Sequence, residues 1–422
     1  MKRQQYTFMT FAFIAFTFFS CHKTIAAEPK INEANKVVLT DTIFKTGADD
    51  YKTYNPVLRG FKNVAVVTNQ SSMVNYAPNL KDDSSYYTAA PTSSIHLVDF
   101  LIANDVKLSK IMAPEHGFRG TADAGEHIND SKDFKTGLPI LSLYGSNKKP
   151  SAAQLKDVDC VVFDLQDVGV RFYTYISTLH YIMESCAENN IKLIVLDRPN
   201  PNGNIVDGPV LDMQYKSFVG MHPVPVLHGM TMGEYAKMIN GEKWLANGVQ
   251  CDLSVVPCLA YTKDMFYDLP VKPSPNLPNA KAINLYASLC LFEGTNVSVG
   301  RGTDKQFQVY GSPYMSKSSH SFTPAPNEGA KDPVHNGKLC YGEDLSKRPN
   351  VKQLELMWLM KAYLKTKNKS RFFNSFFTKL AGSPILQQQI ISGMTEDDIR
   401  TTWETDLFNY KKMRTPYLIY SY

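Results

Sequence analysis

Five short apolar runs rich in β-branched residues, at 64–67, 108–112, 140–143, 158–163 and 191–196, dominate the first half of this chain. Each is short enough for a strand buried on both faces. Between them, helical spacing puts Val98, Leu101 and Ile102 on one face, and Ile176, Leu179, Met183 and Cys186 on another. Strand and helix therefore alternate, which predicts an α/β fold built on a doubly wound, mostly parallel sheet.

Four of these predicted strands end in short polar runs: TNQSS (68–72), PEHGFRG (114–120), DLQDVGVR (164–171) and DRPNPNG (197–203). If the strands are parallel, their open ends gather all four runs on one edge, where α/β folds place ligand sites. That edge is the expected active site.

At 422 residues, with 43% hydrophobic and 20% charged side chains, the chain suits two or three globular domains rather than disorder. Its start reads differently. Lys2 and Arg3 precede an apolar run over about 8–19, then Ser20, Cys21 and a small-residue stretch at 24–27. This is the pattern of an export signal over residues 1–26, too short to span a bilayer. Two endings fit it: Thr24-Ile25-Ala26 suits ordinary signal peptidase, and Phe19-Ser20-Cys21 loosely suits lipid attachment at Cys21. The expected location is outside the cytoplasm, periplasmic or lipid-anchored, with no later transmembrane helix. Losing Lys2, Arg3 and Lys23 lowers the formal charge from +5 to +2, which argues against nucleic acid as a partner. The six remaining cysteines contain no CxxC pair and read as buried thiols, with a Cys251–Cys258 pairing left open by the spacing.

A Pro- and Gly-rich stretch at 207–229 breaks the alternation, and a helix over 232–239 opens behind Thr231 with Glu234 at capping-box spacing. The expected domains are therefore 37–230 and 231–422, the second a smaller α+β domain that closes a cleft. It begins with a strand near 252–256, crosses PSPNLP (273–278), and continues through EGTNVSVGRGTD (293–304). A loop-like segment over about 316–350 follows, then helices around Leu356, Leu359, Met360 and Tyr363, and another behind Thr395 with Asp398 as its partner.

Pro114 and Gly117 prevent a helix after the second strand, so Glu115, His116 and Arg119 are displayed on a loop. A carboxyl beside an imidazole and a guanidinium suits general acid–base work, while a surface Glu–Arg pair is the structural alternative. DLQDVGVRFYTY is read as opening a helix, with Asp164 lining the site, Asp167 capping or functional, and Arg171 and Tyr173 one turn further on. DRPNPNG holds Asp197, Arg198 and Asn200 in a stiff turn, as ligand contacts or as an internal Asp–Arg contact. His228 reads as a substrate contact or as a cap and packing residue. Glu293, Asn296, Arg301 and Asp304 lie in a glycine-rich run that permits close approach to a ligand. Neither a P-loop, a strand-linked GxGxxG, an HExxH nor a GxSxG is present, so no nucleotide cofactor is expected. A distributed set such as His116, Asp164 and Asp167 is weak ground for a metal, and none is expected either.

Taken in order, PEHGFRG, DLQDVGVRFYTY, LDRPNPNG, VDGPVLD, HGMTMGEYA, PSPNLP and LFEGTNVSVGRGTD resemble the exo-β-N-acetylmuramidase family called NamZ, glycoside hydrolase family 171, from about residue 37 to the C-terminus. The resemblance implies a Rossmann-like N-terminal domain, a smaller C-terminal domain, and a cleft that removes N-acetylmuramic acid (MurNAc) from the non-reducing end of peptidoglycan fragments such as MurNAc-GlcNAc saccharides. It also implies Glu115 as the leading catalytic residue, with His116 beside it. Asp207, where Glu is expected, and Gln306, where Pro is usual, depart from the pattern. Glycoside cleavage uses two carboxyl groups. Glu115 suits the first role, and Asp167, Asp164 or Glu293 the second, with Glu293 ranked ahead as coming from the opposite wall. The lactyl carboxylate of MurNAc calls for a guanidinium, for which Arg119, Arg171, Arg198 and Arg301 are the candidates. Competing readings are a lyase acting by elimination and a non-catalytic glycan-binding lipoprotein.

Overall fold

The apolar runs become the centre of the molecule. The computed structural model describes residues 42–78, 84–118 and 130–422. Its strands are β1 (Val64–Thr68), β2 (Met73–Tyr76), β3 (Ser93–His96), β4 (Leu108–Ala113), β5 (Ser131–Lys132), β6 (Pro139–Ser142), β7 (Cys160–Asp164), β8 (Lys192–Leu196), β9 (Leu253–Val256), β10 (Val309–Ser312), β11 (His320–Phe322) and β12 (Cys340–Asp344). Its longer helices include α1 (Tyr51–Arg59), α2 (Leu97–Ala103), α3 (Tyr175–Glu188), α4 (Met232–Gly241) and α5 (Ala280–Leu289).

The large sheet runs β5-β6-β4-β1-β7-β8-β9, with β5 antiparallel to β6 and the other pairings parallel. In chain order the parallel strands are thus arranged 3-2-1-4-5-6, the doubly wound order whose switch point lies beside the first strand. Successive side chains point to opposite faces, and both faces are covered. Val67, Phe163, Leu193 and Val195 meet α3 and α4 through Ile176, Leu179, Met183 and Tyr235. Val64, Val66, Val162 and Ile194 meet α1 and α2 through Leu58, Leu97 and Leu101. Full burial of such aliphatic side chains contributes roughly 1.5–3 kcal/mol each.

Three expectations need correction. The segment after β7 does not open a helix at once: α3 starts at Tyr175. Gly169 sits at φ +77°, and a Cβ there would lie 2.1 Å from Asn200 Oδ1, so the chain turns against DRPNPNG instead. Val170 then bridges to Leu227. The sheet also runs past residue 230, because β9 pairs with β8 and α4 packs on the same layer. Finally, the loop-like stretch at 316–350 contains β11 and β12, which form a small antiparallel sheet with β10. Segments as short and mixed as HSF and CYGED carry too little periodicity to be read as strands.

Thr231 does make the capping box with Glu234 at the start of α4, and Thr395 accepts from the Asp398 N–H at a later helix. One hydrophobic core continues from the large sheet through Tyr286, Phe292 and Phe377 to Trp403, so Asp41–Tyr422 packs as a single compact unit. Cys160, Cys186, Cys251, Cys258, Cys290 and Cys340 are buried free thiols, Cys251 and Cys258 included. No helix among the described residues is long and apolar enough to cross a membrane. The export signal and Cys21 lie outside the described residues.

Candidate active site

PEHGFRG leaves β4 at its C-terminal end in a tight turn, with the Gly117 N–H donating to the Pro114 carbonyl at 3.0 Å. His116 adopts φ +71°, a left-handed conformation that costs a non-glycine residue about 1 kcal/mol or more and clusters at functional sites. The turn delivers Glu115 and His116 to a cavity of about 430 Å³. Glu293 and Arg301, from the segment after α5, line the same cavity, as does Tyr173. The expected meeting of Glu115, His116, Tyr173, Glu293 and Arg301 is thus present in the fold.

Two hydroxyl groups hold Glu115. Thr174 Oγ1 donates to Glu115 Oε2 at 2.6 Å. The Tyr144 hydroxyl is bonded to the same carboxyl group, and burial together with that carboxyl pushes Tyr144 well above the ordinary tyrosine range, keeping it protonated as a donor. Glu293 is held differently. Its Oε1 accepts from Arg301 Nε at 2.6 Å, and Oε2 accepts from Cys290 Sγ at 3.4 Å. Burial opposes the charge on Arg301, but the Glu293 carboxylate outweighs it and holds the guanidinium above its usual range. Gly300 and Gly302, at φ +78° and +79°, make the turns on either side of Arg301, which also lies over the Phe307 ring at 5.1 Å.

TNQSS works one layer behind the cavity. Asn69 Nδ2 donates to the Tyr175 hydroxyl at 2.7 Å, and Gln70 Nε2 donates to the Lys272 carbonyl at 3.0 Å. The Tyr173 hydroxyl donates to the Pro273 carbonyl at 2.8 Å. These bonds tie PSPNLP to the sheet edge, and Ser274 and Asn276 of that segment enter the cavity wall.

Most of the remaining polar candidates serve the scaffold. Asp164 receives Arg198 Nε at 2.5 Å and Nη2 at 2.9 Å in a buried, two-bonded ion pair. Arg171 is fully buried and donates to the carbonyls of Pro209, Val224 and Leu380. Asp197 collects the Thr231 hydroxyl, the Tyr420 hydroxyl and the Gly233 N–H at 2.7, 2.7 and 2.8 Å, so it anchors the start of α4 and the chain's last residues. Asn200 Nδ2 donates to the Met230 carbonyl at 2.9 Å. Asp167 accepts from the Gly169 N–H at 2.6 Å and faces His228 Nε2 at 3.8 Å. Burial raises Asp167 to about 7 and lowers His228 to about 3, so both are inclined to stay neutral. Asn296 is pinned by its backbone to Phe372 and His335, and Asp304 is exposed. None of these eight residues, nor Arg198, lines the cavity. Arg171, Asp197, Asn200 and Asp167 share a reason: loops at strand ends expose backbone polar groups that need partners, and these side chains supply them.

Arg119 lies outside the described residues. Among the described residues no group of three His, Cys, Asp or Glu side chains is placed to hold a metal ion. Asp207 binds Arg400 through both oxygens and also accepts the Leu354 N–H at 2.7 Å; neither it nor Gln306 lines the cavity. The sequence reading missed Tyr144, Thr174 and Asn276. Tyr144 follows a predicted strand outside the four polar runs, and Thr174 and Asn276 are uncharged side chains inside DLQDVGVRFYTY and PSPNLP.

Models of exo-β-N-acetylmuramidase NamZ match the chain over residues 64–281 for the N-terminal part and 284–420 for the C-terminal part. The chain belongs to the NamZ family. Within reach of that family, peptidoglycan β-N-acetylmuramidase NamZ of Bacillus subtilis is 39% identical over 358 residues, covering 78% of this chain and 84% of that protein. A solved DUF1343 family protein from Bacteroides fragilis is 43% identical with a TM-score of 0.80, covering 90% of this chain and 99% of the other. A second DUF1343 protein from the same organism is 27% identical with a TM-score of 0.71 over the same shares. The NamZ models divide the chain between residues 281 and 284, so β9 falls in the N-terminal part.

Proposed function

We propose that this chain is an exo-acting β-N-acetylmuramidase that releases terminal MurNAc from the non-reducing end of peptidoglycan fragments. The observation that carries this reading is that Glu115 and Glu293 share one cavity with Arg301 in a NamZ-family chain. Two carboxyl groups are the usual equipment for glycoside hydrolysis. In this reading Glu115, oriented by Thr174 and Tyr144, gives its proton to the leaving oxygen. Glu293 is the second carboxylate, and His116 stands beside the first.

Arg301 engages Glu293 through Nε, and its two terminal nitrogens form the fork that takes the lactyl carboxylate. A volume of about 430 Å³ falls in the range of a small-molecule site and suits one sugar unit. Aromatic side chains including Tyr173, Tyr286 and Phe307 line the walls. The basic and apolar start of the chain supports export, with the enzyme in the periplasm or held at a membrane surface by a lipid on Cys21.

The test is incubation with a chromogenic β-MurNAc glycoside and with a MurNAc-GlcNAc disaccharide. Free MurNAc is the expected product, and its mass separates hydrolysis from elimination, which yields a sugar lighter by one water. Absence of MurNAc release across a broad pH range would refute the proposal.

A further inference from the structure

Asn276, in PSPNLP, is only 1% exposed yet lines the same cavity as Glu115, Glu293 and Arg301. Its Nδ2 donates to the Gly329 carbonyl at 2.6 Å. That bond decides which way the amide faces, because the reversed amide would place two acceptors in contact. Oδ1 is therefore the atom left to accept, and it has no hydrogen-bond partner among the described residues.

The amide is also wedged in place. A Cβ on Gly329 would come 3.1 Å from Oδ1 and 3.2 Å from Cγ, so glycine is what lets the two segments approach this closely. The Asn276 backbone N–H donates to Ser274 Oγ at 3.2 Å, fixing the turn that carries it. A buried acceptor without a partner costs free energy and is rare in native folds. Here the residue belongs to the wall of a sugar-sized cavity, where a donor on a bound ligand is the group that can remove the cost.

We propose that Asn276 Oδ1 is a specificity-determining acceptor, receiving a hydrogen bond from an N–H or O–H of the terminal sugar. The inference rests on the glycosidase reading above. Its chemistry is that of a site that rejects an analogue lacking the donor, because the acceptor is then buried unpaired.

The experiment compares kcat/KM for a chromogenic β-MurNAc glycoside with three analogues: acetoxy in place of acetamido, 4-deoxy and 6-deoxy. Wild-type enzyme is expected to lose roughly 100-fold or more on one of them, which identifies the donor. Asn276→Ala is expected to lose a similar factor on the parent glycoside and to treat that analogue and the parent alike. Gly329→Ala, which crowds Oδ1 itself without removing the amide, is expected to narrow the same ratio. If Asn276→Ala fails to fold, the analogue series on wild type and Gly329→Ala decides. Equal turnover of all four compounds by wild type, or undiminished discrimination in the variants, overturns the proposal. A wild-type enzyme inactive on the parent glycoside overturns the glycosidase reading as well, so the two failures are distinguishable.

Discussion

Thr174 Oγ1 lies 2.6 Å from Glu115 Oε2, joining the loop after β7 to the turn after β4. A glutamate side chain has three rotatable torsions, and this bond, with the one from Tyr144, removes most of that freedom before substrate arrives. Glu115→Gln is expected to lower turnover by about 10²–10⁴-fold while MurNAc binding, measured by calorimetry, is largely retained. Thr174→Val keeps the carboxyl group and loosens it, so about a tenfold fall in kcat with little change in KM is expected.

Arg301 is the described guanidinium in the cavity, and Glu293 holds it through one nitrogen. With Arg301→Lys the charge survives but the planar fork does not. The preference for a MurNAc glycoside over the matching GlcNAc glycoside, which lacks the lactyl group, is expected to shrink by roughly tenfold. An unchanged ratio would mean that the lactyl carboxylate is read elsewhere.

Removing one half of the Arg198–Asp164 pair strands a charge in the sheet edge. Arg198→Ala is expected to cost about 3–5 kcal/mol in denaturant unfolding. A ligand role for Arg198 would instead appear as weakened sugar binding at unaltered stability.

Asp167 supplies a pH signature. Its folded-state value is raised to about 7 by burial, against 3.8 for the free side chain. The folded protein therefore holds this proton more tightly, and the associated stability is present below about pH 4 and lost as pH rises toward 7. Relative to wild type, Asp167→Asn is expected to unfold at a temperature less dependent on pH across that window, by a few degrees or so on thermal melts. Parallel profiles for the two proteins would show that Asp167 does not titrate there.

The sheet was legible in the sequence because its signal is local: five apolar runs, each long enough for a doubly buried strand, with helical spacing between them. The place of Glu115 on a strand-end turn was legible for a related reason, since Pro114 and Gly117 force a loop there. The limits are equally physical. DLQDVGVR reads as a helix start until Gly169 is seen packed against Asn200, a contact made by residues 31 positions apart in the sequence. The small sheet of β10, β11 and β12 stayed hidden because each strand is stabilised by its neighbours more than by its own pattern.

By itself, the chain's order of residues determined the strand and helix periods, the edge on which the polar runs collect, and the acid at position 115. Only the tertiary structure decided which polar side chains face the cavity and which face one another. Asp164 and Glu115 are both acids at strand ends, yet one meets Arg198, 34 residues away, and the other meets Thr174, 59 residues away, beside open space. Local pattern fixes where a carboxylate leaves the sheet; its partner is set by long-range packing, and that partner decides whether it braces the fold or reaches a substrate.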